Sequence, residues 1–120
     1  AGSLAYLEIV GAGSSNPTID AAHSSPGIAS APLGPVTGVR TGTGEYCIVA
    51  PPGSGFAAVG HVMVSPEATQ GRILSAGDGT TASCSGTANT VAWFKVRDLS
   101  GSGGALVNLA SAEAIYMLVH

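Results

Sequence analysis

Few side chains in this sequence could do chemistry, and their spacing limits what that chemistry could be. The three histidines, His23, His61 and His120, are not paired with one another at metal-ligand spacing. Asp20 and His23 stand three residues apart in a proline-flanked polar stretch, where no regular element imposes a ligand geometry. His61 alternates with apolar neighbours and reads as a satisfied or interface histidine; it could hold a metal only if symmetry gathered one copy per subunit around a trimer axis. The seven carboxylates, Glu8, Asp20, Glu45, Glu67, Asp78, Asp98 and Glu113, fall mostly at strand ends or turns. A glycosidase pair among them would need tertiary convergence that spacing does not announce. "GAGSSN" begins like a dinucleotide fingerprint, but Asn16 stands where the third glycine belongs and Pro17 follows instead of a helix. "PPGSGF" lacks the residues that must flank the serine of a nucleophile elbow. We therefore expect no enzyme, no catalytic residue, no cofactor and no metal.

Cys47 and Cys84 admit two readings. A bridge would fit an extracellular or virion setting and would stabilise the fold by roughly 4 kcal/mol through loop closure. A single pair without other secretion signals favours free thiols, with Cys47 acting as a small core hydrophobe in "EYCIV".

The remaining candidate is the segment around Trp93. If Ala92, Phe94 and Val96 face the core, Val91, Trp93, Lys95 and Arg97 share the opposite face. That face carries the one tryptophan beside two of the four fixed cations. Such a group suits a ligand platform or a subunit contact, whereas a buried Trp93 flanked by surface charges is the plainer alternative.

The elements that must position these residues read as strands. Charged residues make up 9% of the chain, against about 25% in an ordinary soluble domain, while Gly, Ser, Thr and Asn abound. A surface so poor in ions fits burial against other copies of the chain. Four scattered cations on a chain of net charge −3 exclude a phosphate-tracking nucleic-acid surface, and the apolar runs are too short for a membrane helix. Period-two patterns bounded by Gly, Pro, Ser and Asn predict strands at 4–10, 36–49, 55–65, 71–76, 89–98 and 113–120, with a short one near "GIASA". Gly60 marks an expected bulge, and "ALVNLASAEA" could instead form a helical turn or two. The expected architecture is a single all-β domain over 1–120, an antiparallel β-sandwich of jelly-roll-like or Ig-like kind. Residues 1–10 hold the first strand, 11–35 an irregular loop region and 36–120 the main sheet-forming part. The polar loops 14–26, 66–71, 77–87 and 100–104 are expected to face outward.

In the hairpin "PVTGVRTGTGEYCIVAPP", Gly42 and Gly44 are expected to supply positive φ in the turn. Tyr46 is expected to bury its ring while satisfying its hydroxyl. This string resembles a β-rich module of bacteriophage tail fibres, tail spikes and related virion appendage or decoration proteins. The shared elements fall on Val36, Val39, Gly42-Thr43-Gly44, Glu45, Tyr46, Ile48 and Val49. Strands like "FAAVGHVMV", "TVAWFKVRD" and "AIYMLVH" then follow in the order usual for the module. Cys47 stands where such modules often have Thr. The resemblance implies a structural virion protein, commonly a homotrimer, on the particle surface, with other virion proteins and a host glycan or protein as partners. The alternative is a secreted carbohydrate- or protein-binding sandwich without catalysis.

Overall fold

The computed structural model describes residues 5–29, 34–53, 61–66, 72–78, 84–99 and 104–119. They form an all-β sandwich of strands β1 (Ala5–Val10), β2 (Thr18–Ile19), β3 (Thr37–Gly42), β4 (Glu45–Val49), β5 (Val62–Pro66), β6 (Arg72–Asp78), β7 (Thr90–Asp98) and β8 (Ala114–Val119). One antiparallel sheet runs β2-β1-β8-β5 and the other β3-β4-β7-β6. Helical backbone among the described residues is confined to 3-10 conformation at Ala21–His23 and at Cys84. The longest described strand is β7, and the expected bulge at Gly60 lies outside the described residues, as does His120. "ALVNLASAEA" forms no helix: Val107 N–H donates to Val96 O and Leu106 bridges Arg97, extending the ladder beside β7. "GIASA" forms no strand over its described residues; Ile28 instead drops its side chain into the core from a turn.

Strict alternation sets the two faces of each central strand. Leu7 and Ile9 of β1 and Ile115, Met117 and Val119 of β8 point inward and are 2% exposed or less. Opposite them lie Tyr46 and Ile48 of β4 and Ala92, Phe94 and Val96 of β7, none more than 1% exposed. Each large apolar side chain so buried contributes about 1.5–3 kcal/mol. The pattern breaks between β4 and β7: Ile48 pairs with Ala92 but Val49 with Thr90, so Val91 is an extra residue on β7. The bulge changes the phase of the strand, and Val91 joins the core cluster instead of sharing the outer face with Trp93.

The β3–β4 hairpin is locked at its turn. Gly44 adopts φ +68, and a Cβ there would lie 2.7 Å from Val96 O and 2.8 Å from Val107 O, so glycine is required twice over. Gly42 corrects the expectation made for it: it ends β3 opposite Glu45 without positive φ, and Gly44 alone supplies the left-handed residue. Asn108 Oδ1 accepts hydrogen bonds from Gly44 N–H at 3.0 Å and from Arg40 Nε at 2.8 Å. The Tyr46 ring stacks on Phe94 with centroids 4.7 Å apart, and its hydroxyl oxygen accepts from the Leu109 backbone N–H at 2.8 Å. Burial pushes the Tyr46 phenol above its ordinary pKa. Tyr46→Phe is expected to lower stability by about 1–2 kcal/mol, because it strands a buried N–H while keeping the stack. Urea denaturation should show a shifted midpoint with an unchanged slope.

Candidate functional site

Three groups of side chains qualify for scrutiny, one on the outer face of each sheet and one at the edge of β1. On the β3-β4-β7-β6 sheet, Val39, Cys47, Trp93 and Gly77 stand side by side in register. Trp93 is half-buried because its indole lies over Gly77: a Cβ on that glycine would approach the ring to 2.7 Å. Lys95 Nζ sits 5.9 Å from the ring centroid and 3.6 Å from Glu45 Oε2. Arg97 is exposed and donates to Gly104 O at 3.1 Å. The strand thus places Trp93 and Lys95 together, while Arg97 serves the neighbouring segment. With the sheet beneath the indole and an ammonium above it, Trp93 covers the sheet more than it offers a bare stacking surface.

Cys47 and Cys84 are joined in a disulfide, Cα to Cα 6.0 Å. This corrects the expectation of free thiols. Tyr46 and Ile48 claim the inward positions of β4, so Cys47 points outward, where the segment carrying Cys84 folds back over it. Thr87 N–H donates to Cys84 O within this cover, and Ala50 N–H donates to Asn89 O, tying its end to the residue after β4.

The β2-β1-β8-β5 sheet presents a different outer face. Tyr6, Leu118 and Met63 are paired across three adjacent strands and are 42%, 38% and 68% exposed. In the next row Glu8, Tyr116 and Ser65 lie in register. Met63, Val64, Ser65, Tyr116 and Leu118 line a shallow depression there.

At the free edge of β1 the chain supplies hydroxyls where a longer β2 would supply backbone. Tyr6 N–H donates to Ser25 Oγ at 2.9 Å and Glu8 N–H to Ser24 Oγ at 3.0 Å, while Ser24 Oγ donates to Asp20 O at 2.7 Å. These bonds fold the 20–25 loop over the outward side of β1. Asp20 Oδ1 accepts from Ala22 N–H, and His23 Nδ1 comes to 2.8 Å from Asp20 Oδ2 and 3.4 Å from Glu8 Oε1. His23 beside it, and then the Glu8 carboxyl, hold Asp20 below the usual carboxylate range. Its contribution to stability is therefore present above the unfolded pKa of about 4 and is lost as pH falls through the lower folded value. Two carboxylates do converge here, but the imidazole occupies the gap that a glycosidase would leave for its sugar. The Asp20 to His23 spacing was the visible signal; Glu8, a strand residue, gave none.

Comparison with protein-family models, curated proteins and solved structures yields no match.

Proposed function

We propose that this chain is a non-catalytic structural module that assembles with copies of itself, as a homotrimer, on the surface of a virion. What supports the reading most is the Tyr6-Leu118-Met63 row: three large exposed side chains in register, none charged. Exposed apolar rows of this kind gain most from meeting another such row, and the shallow depression beside protruding Met63 offers a seat for a neighbouring copy. The low charge of the whole chain points the same way. The likeness of the hairpin string to phage appendage modules supports the virion setting, and a disulfide suits an oxidising one.

Light scattering on a sizing column, over a range of protein concentrations, tests the assembly. The expected mass is about three times 11.7 kDa. Leu118→Glu combined with Met63→Lys should give a folded monomer with native circular dichroism. A monomeric parent, or a trimer indifferent to both substitutions, would count against this face as the contact.

A further inference from the structure

We propose that Met63 is a selective site of oxidation by hydroperoxides, and that its sulfoxide form keeps the subunit out of the assembly. The first part stands on exposure and chemistry; the second rests on the proposed self-association through the Tyr6-Leu118-Met63 row.

Thiols and thioethers are the side chains that peroxides oxidise most readily, and the fold leaves one sulfur within their reach. The chain has two cysteines and two methionines. Both cysteines are engaged in the Cys47–Cys84 bridge, so no thiol competes for the oxidant, and the bridge is itself sealed at 1% exposure or less. Met117 of β8 points into the core and is 0% exposed. Val64 pairs with Met117 and Met63 with Leu118, so the pleat that turns one thioether inward turns the other outward. Met63 is accordingly 68% exposed, on the edge strand of its sheet.

The step is a two-electron oxidation. A lone pair of the Met63 sulfur attacks one oxygen of hydrogen peroxide, the S–O bond forms as the O–O bond breaks, and the departing hydroxide takes the proton of the transferred oxygen to leave as water. The sulfur loses two electrons and the peroxide gains them.

The product changes what the row can meet. A thioether is apolar and adapts to an uneven seat, whereas a sulfoxide is polar and carries an acceptor oxygen. Leu118, the in-register neighbour, has no donor for that oxygen, and burying an acceptor without a partner is costly. Assembly and oxidation therefore oppose each other: a packed row shields the sulfur, and an oxidised sulfur disfavours packing.

The test treats dilute and concentrated protein in parallel with hydrogen peroxide, stops the reaction with catalase and locates the added oxygen by peptide mass spectrometry. In dilute protein Met63 should oxidise at least about tenfold faster than Met117, and in concentrated, assembled protein Met63 should be slowed selectively. Protein oxidised at Met63 alone should keep its circular dichroism and run as a monomer in light scattering at concentrations where the parent is a trimer. Methionine sulfoxide reductases for both epimers should restore the assembly. Met63→Leu, which keeps the row apolar, should assemble and be indifferent to peroxide. Equal rates at Met63 and Met117, Met63-sulfoxide protein that assembles as the parent does, or a Met63→Leu assembly that peroxide dissolves would each overturn the proposal. A parent that is monomeric at every concentration would overturn the control of assembly, while the two oxidation rates would still decide the site.

Discussion

Replacing Cys47 and Cys84 together by alanine is expected to lower the free energy of unfolding by about 4 kcal/mol. The bridge closes a loop with a sequence separation of 37, and the chain-entropy estimate for that length gives this figure. For a domain of this size the loss is a large share of the whole stability. The substitution also frees the segment around Cys84 from the outer side of β4, where the bridge holds both cysteines at 1% exposure or less. Urea denaturation is the check: the midpoint should fall and the slope should rise, because the uncrosslinked chain unfolds to a more open state. Limited proteolysis under native conditions should then cut within 84–89 before it cuts any strand. A stability loss below about 1 kcal/mol would mean that the unfolded chain is scarcely constrained by this link.

Arg72→Met is the second large effect, at about 3 kcal/mol. Arg72 of β6 grips Glu113 through two bonds, Nε to Oε2 at 2.9 Å and a terminal nitrogen to Oε1 at 3.3 Å, with Asp98 at 3.7 Å on its other side. Glu113 Oε1 also accepts from Ala110 N–H at 2.8 Å, so the pair ties an edge strand of one sheet to the turn leading into a central strand of the other. The Glu113 side chain is 4% exposed and Arg72 18%. Removing the arginine leaves a carboxylate stranded away from water, the costly direction of breaking such a pair. Glu113→Gln should cost less, about 1–2 kcal/mol, since an amide oxygen can still accept from Ala110 and Arg72 keeps Asp98. The ordering of the two variants in thermal or urea unfolding is the decisive reading. Equal losses would show that the Coulombic link, and not the buried carboxylate, governs the effect.

The likeness between expected and observed structure is uneven, and the unevenness has a cause. Strands β1, β7 and β8 fall where alternation places them, because their inward residues are apolar without a break and period two can be read locally. β2, with two residues, and the 3-10 turn after it leave too short a trace for any period. Plain alternation puts Val91 on the outer face, and the bulge that turns it inward shows only once the partner strand is aligned. Tyr46 owes its burial to local alternation, but its hydroxyl partner, the N–H of Leu109, is 63 residues away. The candidate sites divide in the same manner. Trp93 and Lys95 share a face because they are two apart on one strand, while Gly77, the residue on which the indole rests, comes from the neighbouring strand.

By itself the sequence determined the all-β class, the inward positions of Tyr46, Ala92, Phe94 and Val96, the turn at Gly44 and the scarcity of charge, all consequences of local pattern and composition. Only the tertiary structure decided that Cys47 meets Cys84, that Arg72 grips Glu113, that Tyr6, Leu118 and Met63 line up in one exposed row, and that Glu8 joins Asp20 and His23. Each of these depends on strand order and register, which fix the distance between residues far apart in the chain and leave no mark on the spacing within any one segment.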